Sequence, residues 1–196
     1  MKRVLLLLAL VGFAFTTNAQ KARGLFSVNG GPAFQSASFP LVSSFAGQVN
    51  AEGSVVTGGG LRIGLVTGYH FGGDVSGSGS SSNFQNSISG IPLRLAVGYW
   101  PLQKKNSIIA GLEAGVMFTE IGFSGRVFNG FGTSSITLKG SSTGFNAAAH
   151  FGGKFQIDKG VSFVLFTRPQ LVAVNNTQYF FVSANIGLAF QIGKSE

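Results

Sequence analysis

The sequence predicts an all-β chain, folded as an antiparallel up-and-down transmembrane β-barrel of about eight strands. Three observations carry that expectation. The first is alternation: the stretch from Gln178 to Ile192 sets Phe180, Val182, Ala184, Ile186, Leu188, Phe190 and Ile192 against Tyr179, Ser183, Asn185, Gly187, Ala189 and Gln191. A period of two is that of a strand with one apolar and one polar face. The second is the shortage of charge, 10 % of 196 residues, against about a quarter in a soluble domain. Charge keeps a soluble surface dispersed, so a chain this poor in it turns much of its surface to something other than water. The third is the make-up of the polar faces, which are Gly, Ser, Asn, Ala and Gln rather than Lys and Glu. A soluble barrel would expose those faces and need charge on them; small neutral residues suit a narrow interior whose outer wall meets lipid.

Taken in order, Met1 to Ala19 reads as a secretory signal: Lys2 and Arg3, an apolar run from Val4 to Phe15, then small residues. Cleavage is expected between Ala19 and Gln20, leaving 20–196 as the barrel domain. No later apolar run is long enough for a membrane helix, so any crossing is made by strands. Strands are expected over 24–35, 45–56, 60–71, 88–102, 108–118, 143–157, 161–174 and 178–192. The residues between, 36–44, 72–87 and 120–142, read as loops. An alternative places a degraded strand within 72–87 and demotes 45–56 to loop. The hairpin closing about Lys104 and Lys105 sets Val97 opposite Leu112 and Ala96 opposite Glu113. A second closes at Asp158, Lys159 and Gly160 and brings Phe155 beside Phe163 and His150 beside Arg168. Like faces meet in both, as register requires. Pro92 and Pro169 lack a ladder donor and are expected to form local bulges.

Aromatic residues gather toward strand ends, at Phe26, Tyr69, Phe71, Tyr99, Phe118, Phe155, Phe163 and Phe190, as girdles at two head-group levels would. The segment from Gly90 to Leu102, a short turn, and Ala110 to Gly115 resembles the small outer-membrane β-barrels of Gram-negative bacteria, the porin-like relatives of the OmpA transmembrane domain and OmpX. That resemblance implies an outer-membrane location, contact with outer-membrane lipid, and handling by the assembly machinery. Such barrels end on an aromatic residue that this machinery reads; here Phe190 is followed by residues 191–196, a departure from the pattern.

The few charges are informative by their placement. Glu52, Arg62, Arg94 and Glu113 fall on the inward face of successive strands, with Arg94 diagonal to Glu113. Buried ions need partners, so these four are expected to form an interior ion-pair cluster. His150 and Arg168 form a second inward pair with Lys154 nearby, and His150 is expected to be a neutral, hydrogen-bonded interior residue. The chain has no cysteine and two distant histidines, which gives neither a thiolate nor a metal spacing. A formal charge of +8 is scattered and forms no nucleic-acid stripe. No nucleophile, base and orienter fall together, and neither His70 nor His150 sits in a Gly-x-Ser-x-Gly context. The expectation is a non-enzymatic barrel without cofactor, acting through its loops in surface contact or envelope integrity. A narrow passive pore, or a secreted soluble barrel holding an apolar ligand, are the alternatives.

Overall fold

Backbone N–H and C=O groups in lipid must be paired within the protein, and a sheet achieves this only by closing on itself. The computed structural model describes residues 22–37, 43–72, 75–79, 82–128 and 133–192. The expected signal segment lies outside them. The described residues form nine antiparallel strands: β1 (Arg23–Ala37), β2 (Ser43–Val56), β3 (Leu61–Phe71), β4 (Val75–Gly79), β5 (Ser82–Tyr99), β6 (Asn106–Phe128), β7 (Thr133–Asp158), β8 (Val161–Val174) and β9 (Thr177–Ile192). Apart from β3 and β4, neighbours along the chain pair in turn, β1 closes onto β9, and β3 closes onto β5 past β4. The result is an eight-stranded ring, with β4 a short addition to the outer part of β5.

Alternation resolves as expected. Phe180, Val182, Ile186, Leu188 and Phe190 are exposed, as are Leu93, Leu95 and Val97, while Ser183, Asn185, Arg94 and Glu113 are buried. With a rise of ~3.3 Å per residue and a strand tilt of about 40°, the exposed run from Phe180 to Ile192 spans roughly 30 Å, the thickness of a bilayer core. Exposed Phe34, Phe45, Tyr69, Phe71, Phe118 and Phe145 stand toward the long-loop end. Phe26, Tyr99, Phe155 and Phe190 stand toward the other.

The interior is layered. At the short-turn end Leu25, Val56, Trp100, Ile109, Val164, Phe166 and Ala189 form one apolar cluster. Toward the long loops Ile88, Met117, Val172, Val174, Tyr179 and Phe181 form another. Polar residues occupy the belt between. A narrow ring can be filled by its own side chains in this way.

Both predicted hairpins have the expected register, with Val97 opposite Leu112, Ala96 opposite Glu113 and Phe155 opposite Phe163. The expected proline bulges are corrected. Around Pro92 the β3–β5 ladder stops at Thr67↔Leu93 and resumes at His70↔Gly90 in unchanged register. Around Pro169 the β7–β8 ladder passes from Ala148↔Gln170 to Phe151↔Thr167, and around Pro32 the β1–β9 ladder passes from Gly30↔Ile186 to Ala33↔Ser183. A strand sends alternate N–H groups to its two neighbours, so a missing donor opens one seam and leaves the other intact. Pro92 still pairs with Met117, and Pro169 with Val182.

The loop expectations change more. Residues 45–56 form a regular strand, as first expected, and residues 75–79 a further one, so the extra strand of the alternative is present while its demotion of 45–56 to loop is corrected. Most of 120–142 is strand as well, because β6 and β7 stay paired from Thr119↔Ser142 out to Phe128↔Thr133. Beyond the ring, β4, β5, β6 and β7 therefore continue as a four-stranded sheet. On the other flank β8 turns straight into β9 through Asn175 and Asn176, whose positive φ values of 48° and 62° suit a two-residue hairpin turn.

Candidate functional site

Two features stand out as sites: the polar belt inside the ring, and the sheet that rises from it.

The belt is centred on Glu113. Its Oε2 lies 3.0 Å from Arg94 Nε, and its Oε1 lies 3.1 Å from both Arg168 Nη2 and His150 Nδ1. Arg62 Nε stands 3.2 Å from Glu52 Oε1, and Arg62 Nη2 lies 2.8 Å from His150 Nε2. A guanidinium only donates, so Nε2 accepts and the proton of His150 sits on Nδ1, donated to Glu113. This ring is neutral and has a partner on each nitrogen. The four residues expected as one cluster and the His150–Arg168 pair thus form one network rather than two. Glu113 joins them: its carboxylate stands between the histidine and arginine that strand pairing alone set side by side. Lys154 stays apart, giving Nζ–H to the Pro101 carbonyl at 2.6 Å.

Amides and hydroxyls extend the network around the bore. Arg94 donates to Asn50 Oδ1 at 2.9 Å and to Gln170 Oε1 at 3.1 Å. Gln48 donates to Asn185 Oδ1 at 2.8 Å and to Ser183 Oγ, and Asn185 donates to Ser183 Oγ at 2.8 Å. Arg62 also lies over the Trp100 ring at 5.5 Å and Arg168 over the Phe166 ring at 5.0 Å, so the belt is seated on the lower apolar cluster. Asn50, Gln48, Gln170, Ser183 and Asn185 were not singled out as site residues, although their inward parity could have marked them. Arg94, Arg168, Lys154 and His70 are among the largest fully buried side chains. Chemically the belt is a cross-brace of buried, mutually paired side chains inside the ring. His70 is buried with its ring 5.9 Å from Phe181. Neither histidine is presented at a rim. Among the described residues no three metal-ligating side chains stand together.

The second feature is an open edge. Strand β8 begins to pair with β7 only at Ala173↔Phe145, so among the described residues 133–144 of β7 pair with β6 alone. Ser134, Ser135, Thr137, Leu138, Lys139, Gly140 and Ser141 are exposed there. At the foot of this edge Leu138, Lys139, Ser141, Ser142 and Asn175 line a groove of about 310 Å³, where Ser142 Oγ bonds Asn175 Oδ1 at 3.1 Å.

No protein-family model and no curated protein matches the chain. Among solved structures, the attachment invasion locus protein Ail of Yersinia pestis aligns with TM-score 0.50 at 10 % identity, over 87 % of this chain and 99 % of that one. Ail in complex with the heparin analogue sucrose octasulfate gives 0.51 at 11 %, over 85 % and 99 %. Neisserial surface protein A gives 0.47 at 14 %, over 85 % and 96 %. At such identities the likeness is one of fold, that of the small outer-membrane β-barrels.

Proposed function

We propose that this protein, an outer-membrane β-barrel in fold and location, is non-enzymatic and makes surface contacts through the sheet that β4, β5, β6 and β7 carry above the ring. The ring is its anchor. The observation that carries this reading is the open edge of β7 over 133–144 with the groove at its foot. Unpaired strand edges take up extended segments of other chains, backbone bonds giving affinity and side chains selectivity. The buried, mutually paired side chains of the belt support an anchor rather than a pore, and the burial of both histidines away from the rim, His150 with a partner on each nitrogen, supports a non-catalytic role.

The test is excision. Replacing residues 122–139 with a two-residue Asn-Gly turn shortens the β6–β7 hairpin to the rim. The expected result is a barrel that still shows the heat-dependent gel shift of a folded ring, on cells that have lost adherence or clumping. Undiminished contact by cells carrying the shortened protein overturns the reading. Separately, planar bilayers containing the intact protein are expected to show no stable single-channel openings; stable openings would put the pore reading in its place.

A further inference from the structure

Among the described residues, the charges beyond the apolar wall are distributed unevenly between the two ends. Above the wall on the long-loop side, the described charged side chains are Glu120 and Lys139. They have opposite signs and sit diagonally across the β6–β7 ladder, in the pairs Glu120↔Ser141 and Gly122↔Lys139. At the short-turn end stand Arg23 at the start of β1, Lys104 and Lys105 between β5 and β6, and Asp158 and Lys159 between β7 and β8. Among the described residues four cations there, Arg23 half-buried and the three lysines exposed, face one carboxylate, and Asp158 Oδ1 already accepts the Lys159 backbone N–H at 2.6 Å. Among the described residues none of the three lysines forms an ion pair.

These cations share a continuous rim. The Gln156 N–H donates to the Lys105 carbonyl at 2.8 Å, and the Gln191 N–H to the Gly160 carbonyl at 2.7 Å, which ties both turns to the strand ends beside Arg23. The β2–β3 turn, residues 57–60, contributes Thr57 and glycines and no charge. The basic arc therefore runs from β5 round to β1.

Its height on the wall decides what it meets. Ile157 and Ile192 are 65 % and 63 % exposed, and Ile108 is 61 % exposed. The greasy wall thus reaches to within two residues of Lys159, about 7 Å at the usual strand rise. Lysines at that level keep their stems on the apolar wall and their ammonium groups among lipid phosphates.

We propose that this rim is a collar for anionic phospholipid head groups. Arg23, Lys104, Lys105 and Lys159 recruit them to the leaflet at the short-turn end and hold the barrel at a set depth. The surplus of positive charge selects anionic over zwitterionic lipid, and the neutral β2–β3 side leaves the collar open on one flank.

Trp100, the single tryptophan of the chain, is buried at this end and serves as an energy-transfer donor. The protein is folded into phosphatidylcholine vesicles containing a trace of dansyl-labelled phosphatidylglycerol or of a dansyl-labelled zwitterionic lipid. Transfer to the anionic probe is expected to exceed that to the zwitterionic one by about twofold or more at low salt, and to fall toward equality near 1 M salt as the Debye length shrinks. K104Q/K105Q/K159Q is expected to abolish the preference while retaining the folded gel shift. E120Q/K139Q, at the opposite end, is expected to keep it. Equal transfer to both probes by the wild type, or a preference undiminished in the triple variant, overturns the collar. Should the triple variant fail to fold, the salt series on the wild type decides: a preference unchanged at 1 M salt is not electrostatic and overturns it equally.

Discussion

Glu113 is the residue on which the interior turns. One carboxylate receives two guanidinium groups and the Nδ1–H of His150, all buried. The described interior has four cations, Arg62, Arg94, Arg168 and Lys154, against two anions, Glu52 and Glu113, and Glu52 is already paired with Arg62. Glu113→Gln keeps the shape but leaves Arg94 and Arg168 without a counter-charge, and breaking a buried pair from one side costs about 3–5 kcal/mol. The unfolding midpoint in urea, measured in detergent, is expected to drop accordingly; an unchanged midpoint means the network does not brace the barrel. The sequence named Glu52, Arg62, Arg94 and Glu113 together because they share inward parity on consecutive strands. It set His150 and Arg168 apart because strand pairing reports only neighbours in the wall. The 2.8 Å contact of Arg62 with His150 crosses from β3 to β7, past β5 and β6, and follows from closure rather than from any local spacing.

At the level of the strand, legibility depended on which solvent each face meets. Within the bilayer one face is apolar and the other polar, so β9 and the ring portions of β5 to β8 could be read directly from alternation. Beyond the ring consecutive residues 137–141 of β7 are exposed, so its two faces meet water and the alternation disappears, and Ser- and Gly-rich strands such as 75–79 and 133–142 read as loops. Pairing with the ring strands below extends them despite that composition. Close approach between strands is also an element property, and Gly31 shows it most sharply: a Cβ there would lie 1.8 Å from the Ala184 carbonyl oxygen. That contact is with backbone at the β1–β9 seam, where the ring closes and where Pro32 has already removed a donor. Gly31→Val is expected to reduce the fraction of heat-shifting, folded protein recovered into vesicles several-fold. Gly53→Val, where an added Cβ meets nothing within 4 Å, serves as the control and is expected to fold as the wild type does.

For the whole molecule, the decisive inference was which way the apolar faces point, and composition settled that before any contact was known: polar faces poor in charge can be interior, and they are. What composition could not show is how the interior is filled, since the apolar residues at both ends, among them Ile109, Val164, Ile88 and Met117, occupy positions that parity assigns to the polar face. They pack above and below the braced belt. The silent planar bilayer expected of the intact protein belongs to this scale, because it takes the plugs and the belt together to close the path. Retention in the membrane fraction after carbonate washing is expected for the same reason that the ring needs lipid; release would restore the soluble-barrel alternative.

The Asn175–Asn176 corner has a consequence for topography. By turning there it ends β8 and β9 while β6 and β7 climb on beside them, so among the described residues the outline drops from a cliff to a ledge at that seam. Whatever docks has a preferred compass bearing, across that ledge, and crowding from neighbouring proteins on that bearing alone would shut it out.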